Sequence, residues 1–326
     1  MKADSWFKHV IEAFKMIGED FKRNITGVKK ALVLGIGGGG DILGALPTRN
    51  LLTSMGIQCR MGSVAYERSQ FDPKPGPRSL DEMENIAKVN DTVALANSET
   101  KTTYGLEFQA SGMSRFLGEN TIIIDITKGV KGVREGLEDL CGKSSFDLVV
   151  GVDVGGDVIA DGYEEGLRSP LTDALMLASL KNLSCKTMIG IFGVCCDGEL
   201  KLNEVSSKLA KIYSEKGFLG AKPLTFEDLE MMRGALKYVK TEASMLPIRA
   251  AEGKTGEVHI RGGSRRVELS FFSIFTYYLK TEIVFKNNRI ARSLAGSSSF
   301  LAAYNRVEKL GVVTEYGLQL KRRGLL

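Results

Sequence analysis

The sequence has few of the residues that bind zinc or cross-link chains. Among 326 residues there are two histidines, His9 and His259, and five cysteines, an odd number without a Cys-x-x-Cys spacing. Zinc sites are built from cysteine and histidine at characteristic spacings, so we expect no zinc. A disulfide framework needs paired cysteines in an oxidising compartment, and we therefore expect free thiols in a reducing one.

Long apolar runs are also missing. No segment approaches the roughly 18 to 20 consecutive apolar residues of a membrane-spanning helix. The first 14 residues include Asp4, His9 and Glu12, which suits neither a secretory signal nor an acid-poor transit peptide. These features predict a cytoplasmic protein without a membrane partner.

The composition is that of a globular protein with an excess of glycine and an uneven charge. Hydrophobic residues make up 43%, charged residues 25%, and glycines number 37. Residues 1–200 hold 22 basic and 27 acidic groups, whereas residues 201–326 hold 22 and 12. A basic face on the second part would meet an anionic small molecule or an acidic face of another copy, so we expect a homo-oligomer. No helix-turn-helix signal, zinc finger or aromatic basic stripe supports nucleic acid as a partner.

Short β-branched runs alternate with amphipathic stretches over the first two thirds of the chain. This pattern predicts an α/β fold with a doubly wound, mostly parallel sheet, Rossmann-like and three-layered. We divide the chain into an α/β core, 1–220, and a C-terminal α+β subdomain, 221–326, packed on it as one unit. The predicted strands are 31–36, 57–66, 92–97, 121–126, 148–152, 187–194, 257–260, 266–272 and 282–285. The predicted helices are 6–23, 42–55, 130–141, 171–180, 204–216, 225–240 and 297–309. The proline-rich segment 71–78 is predicted to be an extended surface loop.

The first glycine cluster follows an apolar strand and precedes a helix. Its glycines are Gly37, Gly38, Gly39 and Gly40, and Asp41 comes directly after them. The backbone N–H groups of such a turn can bind an anion. With Gly35 the cluster also satisfies Gly-x-Gly-x-x-Gly, and Glu67 after the next strand would then be the ribose-binding acid of a dinucleotide site. Asp41 would oppose a pyrophosphate, and helix capping is an alternative role for it.

The second cluster combines glycines with an unusual density of acids. Six carboxylates lie within 21 residues, more than turns require: Asp153, Asp157, Asp161, Glu164, Glu165 and Asp173. Gly155 and Gly156 separate the first two, and Ser169 with Pro170 opens the next helix. Crowded carboxylates raise one another's pKa, hold a divalent cation or bind sugar hydroxyls. Turn formation and a solvated surface are the structural alternative.

Further acids follow two other predicted strands. Asp125 ends one strand and Asp197 another, and the carboxyl ends of neighbouring parallel strands line one crevice. We therefore expect Asp41, Asp153 and Asp157 to converge with them. Thr127 and Lys128 would add a hydroxyl and a cation for a phosphate group, unless Lys128 is simply a solvated loop residue. Cys195 and Cys196 are interpreted as packing thiols, because no histidine lies near them in sequence.

A basic, glycine-rich segment lies in the C-terminal part. Its cations are Arg249, Lys254, Arg261, Arg265 and Arg266. Arginine can clamp phosphate or carboxylate through two parallel hydrogen bonds, provided that this segment folds back over the crevice. A solvated hairpin edge is the alternative, and His259 within the same strand pattern is interpreted as structural.

Several motifs resemble those of a largely archaeal family of uncharacterised proteins, a domain of unknown function. The similar segments are Gly37–Pro47, Gly151–Asp157 with Glu165, Ser169–Pro170 and Asp173, Thr241–Ser244, and Ile260–Gly263. The resemblance covers nearly the whole chain and implies a single structural unit, and it implies no particular activity.

Together these patterns predict a small-molecule enzyme with its site at the carboxyl edge of the sheet. The substrate is expected to be phosphorylated, nucleotide-like or a small polar acid. Asp153 and Asp157 would bind Mg²⁺ or Mn²⁺ or act as general base, and Asp41 would orient the substrate. Ligand-binding roles fall to Gly37–Gly40, Thr127, Lys128, Gly155, Gly156, Glu165, Ser169 and Asp173. An NAD(P)- or flavin-dependent oxidoreductase and a non-catalytic nucleotide sensor remain alternatives.

Overall fold

The computed structural model describes residues 18–326 and contains, within that range, a nine-stranded sheet and a separate two-stranded hairpin. In chain order the strands are β1 (Lys30–Gly35), β2 (Gln58–Val64), β3 (Met83–Lys88), β4 (Val93–Thr102), β5 (Thr121–Ile124), β6 (Leu148–Val154), β7 (Lys186–Phe192), β8 (Phe218–Pro223), β9 (Gly256–Ile260), β10 (Arg265–Leu269) and β11 (Phe275–Lys280). The spatial order in the large sheet is β3-β4-β5-β2-β1-β6-β7-β11-β8, and β9 pairs with β10.

The α-helices lie mainly between and after these strands. They are α1 (Glu19–Ile25), α2 (Asp41–Gly44), α3 (Leu46–Ser54), α4 (Gln109–Leu117), α5 (Gly129–Ser144), α6 (Pro170–Leu180), α7 (Leu202–Ser214), α8 (Phe226–Ala235), α9 (Leu246–Ala251), α10 (Thr281–Asn287), α11 (Arg289–Leu294), α12 (Phe300–Lys309) and α13 (Glu315–Arg322). Trp6, His9, Phe14 and most of the predicted helix 6–23 lie outside the described residues.

The centre of the sheet is parallel and its edges are antiparallel. Strands β5, β2, β1, β6 and β7 pair in parallel, whereas β4 joins β5 and β11 joins β7 in the antiparallel sense. Every residue of β5 and β6 is buried, as expected of strands covered on both faces. The predicted α/β fold with a mostly parallel, Rossmann-like central sheet is confirmed.

Alternate residues of the central strands pack into two separate hydrophobic layers, one on each face of the sheet. In β1, Leu32 and Leu34 pack in the layer that includes α5 and α6, while Val33 packs in the layer that includes α3 and α4. Successive side chains of a strand point to opposite faces, so a continuous apolar run supplies both layers. The result is the three-layer arrangement of helices, sheet and helices.

The C-terminal part of the chain completes the large sheet. Residue 220, at which the sequence was divided into core and subdomain, lies inside β8, and β11 pairs with both β7 and β8. The prediction of a strand at 282–285 is wrong: these residues form α10, and the strand is β11, immediately before it. The apolar run of Ile283, Val284 and Phe285 is too short for its periodicity to distinguish a strand from a helix.

Two other predictions need correction. The predicted helix 42–55 is two helices, α2 and α3, because the chain restarts at Leu46 with Pro47 in the first turn. The segment 71–78 is not a surface loop throughout, because Asp72 and Arg78 are buried and their side chains lie 3.1 Å apart. Between residues 18 and 326, no helix combines the length and the hydropathy needed to cross a membrane.

Candidate functional site

A cavity of about 410 Å³ opens at the carboxyl ends of β1 and β6. After β1 the parallel sheet continues on one side through β2, and after β6 it continues on the other side through β7. Such a reversal of strand order leaves a crevice, where open α/β sheets bind ligands. The cavity is lined, among others, by residues 37–41, Glu67, Arg68, Asp153, Asp157, Arg168, Ser169, Asp173, Asp197, Arg261, Arg265, Glu315 and Arg322.

The glycine turn after β1 makes room for carboxylates. A Cβ atom at Gly37 would lie 2.7 Å from Asp41 Oδ2 and 2.8 Å from Asp173 Oδ1, and one at Gly39 would overlap the carboxyl group of Glu67. Two N–H groups of the turn already have partners: that of Gly37 donates to Asp41 Oδ2 at 2.9 Å, and that of Gly39 to the carbonyl of Tyr66 at 3.0 Å. The turn therefore leaves room for carboxylates. Two of its N–H groups already donate to protein oxygens and are not available to bind an anion.

Asp41, Asp153 and Asp173 form a first carboxylate group, in which one oxygen from each lies within 4.8 Å of the others. The N–H of Val158 donates to Asp153 at 3.1 Å. Asp173 is only 2% exposed, and within the described part of the chain its Oδ1 has no hydrogen-bond partner. A buried carboxylate oxygen without a donor is rare in proteins and calls for a ligand or proton to explain it.

Asp157, Asp197 and Glu199 form a second group with the same spacing. Gly155, at φ +121°, allows the Asp197 carboxyl group to lie close to the backbone, because a Cβ atom at this position would overlap that carboxyl group. Asp157 is 3% exposed, and its Oδ1 has no hydrogen-bond partner among the described residues.

Glu199 differs from its neighbours because it is fully paired. Its Oε2 accepts the N–H groups of Arg168 and Ser169 at 2.6 and 2.8 Å, and its Oε1 contacts the Ser169 hydroxyl and the Arg265 guanidinium. Burial opposes its ionisation, yet Arg265, the Ser169 hydrogen bond and Arg261 lower its pKa. Glu199 therefore stays charged and positions Ser169, whose hydroxyl lies 3.5 Å from Asp157.

The remaining aspartates resist ionisation. Burial raises the pKa of Asp41 to about 7, and burial together with neighbouring carboxylates raises those of Asp153, Asp157 and Asp173 well above their usual value. The pKa of Asp197 is also raised, first by burial and then by Glu199. Clustered carboxylates of this kind are neutralised either by protons or by a cation.

The donor set matches a hard divalent cation. Both groups offer only carboxylate oxygens, which Mg²⁺ and Mn²⁺ prefer. Cys195 and Cys196 are buried beyond the cavity lining and their thiol pKa values are raised, and His259 lies on β9 facing Glu257. The residues present thus fit Mg²⁺ or Mn²⁺ and lack the sulfur and imidazole ligands typical of zinc.

Arginines from loops form another wall of the cavity. Arg261 Nη1 lies 3.8 Å from Glu199 Oε1, and its Nε is buried without a hydrogen-bond partner within the described residues. Burial and the nearby charge of Arg265 lower the pKa of Arg261. Arg68 Nη1 pairs with Glu242 at 2.8 Å. The hairpin β9–β10 therefore does fold back over the crevice and leaves Arg261 incompletely paired.

Several predicted residues lie outside the cavity lining. Lys128 is half exposed and lies 3.5 Å from Asp91, and the Thr127 hydroxyl donates to Asp125. Glu165 is 88% exposed and pairs with Lys201 at 3.3 Å. Arg266 is also exposed and pairs with Glu257 at 2.8 Å, while Arg249, Lys254 and Gly156 are likewise absent from the lining.

Sequence reasoning missed two acids. Glu199 follows Asp197 by two residues, so the strand-end pattern that selected Asp197 also signals Glu199. Glu315 begins α13, far along the chain, and its carboxylate accepts the N–H of Thr172 at 3.1 Å at the start of α6. Burial raises the pKa of Glu315 to about 7. Only the tertiary fold brings Glu315 to the cavity, and no local motif predicts it.

The family to which the chain belongs is shown by comparison with known proteins. No curated protein and no solved structure matches the chain. A family model described as protein of unknown function (DUF1152) matches residues 32–322, which include every carboxylate of both groups. The chain therefore belongs to the DUF1152 family of proteins of unknown function.

Proposed function

We propose that the protein is a metal-dependent enzyme that acts on a phosphorylated or nucleotide-like small molecule. The observation that carries this proposal is the pair of buried carboxylate oxygens, Asp157 Oδ1 and Asp173 Oδ1, that have no hydrogen-bond partner within residues 18–326. Leaving a buried charge without compensation is expensive, so these oxygens need a proton or a ligand, and a divalent cation would neutralise several of the carboxylates at once.

Mg²⁺ or Mn²⁺ would be held at the two carboxylate groups, by Asp153 with Asp41 and Asp173 in the first and by Asp157 with Asp197 in the second. When bound, such an ion polarises phosphoryl oxygens and lowers the pKa of a coordinated water. Glu199 and Glu315 have a different task, because their oxygens are occupied by the backbone and side-chain donors of the α6 start. They fix the helix start that carries Asp173.

The anionic group of the substrate would face the arginines. Arg261 has a buried Nε without a partner, and Arg265 lies beside it on the same hairpin. Guanidinium groups recognise phosphate through paired hydrogen bonds, and Mg²⁺ is commonly shared between protein carboxylates and substrate phosphates. The carboxylates on one wall would thus bind the cation, and the arginines on another wall would bind the anionic group of the substrate.

A proton-transfer group is available in the lining of the cavity. Glu67 is buried against Gly39, accepts the N–H of Gln109 at 2.8 Å, and has its pKa raised by burial to about 7. A carboxyl group that titrates near the working pH serves well as general acid or base. We assign this role to Glu67 and ligand binding to the aspartates.

Calorimetric titration of metal-free protein with Mn²⁺ tests the metal site. We expect binding by the wild type and a loss of at least about tenfold in affinity, roughly 1.4 kcal/mol, for Asp157→Asn. Glu165→Gln is the matched control, because that acid is exposed and outside the cavity. Absence of Mn²⁺ binding by the wild type, or equal losses in both variants, would overturn the proposal.

A screen of nucleotides and sugar phosphates with Mg²⁺ tests the substrate class. Arg261→Ala should weaken binding of an active compound about 10-fold or more, since charged hydrogen bonds contribute about 1.5–3 kcal/mol. Arg266→Ala on the same hairpin should leave it unchanged. Tight binding without turnover would instead favour a nucleotide sensor. Stabilisation by NAD(P) without metal would favour an oxidoreductase.

A further inference from the structure

The end of the sheet opposite the cavity carries a pair of cysteines. Cys141 lies near the end of α5, and Cys185 immediately precedes β7. Their sulfur atoms are 3.5 Å apart. The two residues line a shallow depression together with Ser184, Lys186 and Asp147. This depression is remote from the carboxylates because it lies where β6 and β7 begin, whereas the cavity lies where they end.

The geometry of the pair suits bond formation. A disulfide has a sulfur–sulfur distance of about 2.05 Å, so the two atoms need to approach by roughly 1.5 Å. Both cysteines are free thiols, and Cys185 is the more accessible of the two. A small-molecule disulfide in solution can therefore reach Cys185 first, while Cys141 lies behind it.

The contact between the two thiols shifts their pKa values in opposite directions. The contact with Cys141 lowers the pKa of Cys185, against the opposing effect of burial. The same contact and burial raise the pKa of Cys141. The thiolate is the reactive form of cysteine, so Cys185 suits the role of attacking group and Cys141 that of resolving group.

We propose that Cys141 and Cys185 are a redox-sensitive pair that forms a reversible disulfide by exchange with a small-molecule disulfide. The Cys185 thiolate bonds to one sulfur of that molecule, whose sulfur–sulfur bond breaks, and the released thiolate takes up a proton. Cys141 then loses its proton and bonds to the Cys185 sulfur, displacing the second small thiol. Two cysteine thiols are oxidised, and one small disulfide is reduced to two thiols.

Such a bond would enclose the segment that supplies three of the site's aspartates. Cys141 and Cys185 are 44 residues apart, and β6 and α6 lie between them. Those elements and the turn between them supply Asp153, Asp157 and Asp173. Closing a loop of this length restricts the unfolded chain, so we expect the oxidised protein to melt several degrees higher than the reduced protein.

The test counts thiols after exposure to oxidised glutathione. Protein treated with the oxidant is quenched in acid, unfolded in guanidinium chloride, alkylated with N-ethylmaleimide at neutral pH, and examined by intact mass and peptide mapping. Of the five cysteines, three should be alkylated, and a peptide linking Cys141 to Cys185 should appear. Dithiothreitol should restore five alkylated residues and return the melting temperature to that of the reduced protein.

Three variants separate this pairing from general oxidation. The Cys141→Ser protein should retain one glutathione, bound to Cys185. In the Cys185→Ser protein, all the remaining cysteines should be alkylated. Cys59→Ser is the control and should still form the linked peptide. Five alkylated cysteines in oxidised wild type, a link between other cysteines, or a lasting glutathione adduct on Cys185 with Cys141 free would each overturn the proposal.

Discussion

Strand β6 has an aspartate near each end, and the two aspartates lie in opposite environments. Asp147 precedes the strand, is exposed, and accepts the N–H groups of Lys29 and Lys30 at 2.8 and 2.9 Å. These hydrogen bonds lower its pKa. Asp153 is the penultimate residue of the strand, is buried, and has its pKa raised by burial and by Asp41.

The comparison distinguishes an acid that stabilises the fold, Asp147, from acids such as Asp153 that destabilise it when they are ionised. The amino end of the sheet satisfies its carboxylate with backbone donors. The carboxyl end gathers carboxylates that have too few donors, which lowers the stability of the metal-free protein. Under the proposed function this loss of stability accompanies a binding site, as is common at active sites.

The largest expected effect is on the pH dependence of stability without metal. The pKa of Asp41 is about 7 in the folded protein and 3.8 without the fold, so the folded state binds more protons between these values. Its contribution is therefore complete below about pH 4 and is lost as the pH rises through 7, on the order of 4 kcal/mol. Urea unfolding of metal-free protein at pH 5 and pH 8 should show about 3 kcal/mol of this decrease, and Mn²⁺ should reverse it at pH 8. Equal stability at both pH values would contradict this explanation.

Gly155→Ala should be the next largest effect. The backbone at φ +121° is strained for any residue with a Cβ atom, and that atom would overlap the carboxyl group of Asp197. We expect a loss of about 3 kcal/mol in the free energy of unfolding. Gly142→Ala is the control, since Gly142 lies in α5 with open space around it and should gain about 0.5 to 1 kcal/mol. Similar losses in both variants would show that the close approach at Gly155 is not the cause.

Asp173→Asn should stabilise the metal-free protein and abolish its response to metal. The amide removes a buried charge beside Asp153 and Asp41, which we expect to add about 1 to 2 kcal/mol at pH 8. Thermal melting with and without Mn²⁺ measures both effects. A variant that is less stable than wild type, yet still stabilised by Mn²⁺, would disprove the role given to Asp173.

The same substitution at the other end, Asp147→Asn, should have the smallest effect and the opposite sign. It weakens two exposed hydrogen bonds, so about 0.5 kcal/mol should be lost at pH 7. Because its pKa is lowered in the folded protein, this contribution should fade as the pH drops below about 4. Mn²⁺ affinity, followed by calorimetry, should not change. A gain in the free energy of unfolding would contradict the proposed difference between carboxylates at the amino and carboxyl ends of the sheet.

The sequence predicted the central sheet and the convergence of Asp41, Asp153, Asp157 and Asp197, because buried parallel strands have continuous apolar runs and their ends share one edge. Asp125 was expected to join them but follows β5 and lies outside the cavity lining. The sequence did not predict which strand ends are adjacent. Thr127 and Lys128 follow β5, and β2 separates β5 from β1, so they lie about 10 Å to the side. Strand order is a tertiary property that local patterns do not encode.

The most direct test of the account is anomalous diffraction at the manganese edge from crystals grown with Mn²⁺. A peak is expected within coordination distance of oxygens from Asp153 and Asp173, or of oxygens from Asp157 and Asp197. A peak only at surface carboxylates such as Glu165, or none in a well-ordered cavity at saturating Mn²⁺, would contradict it.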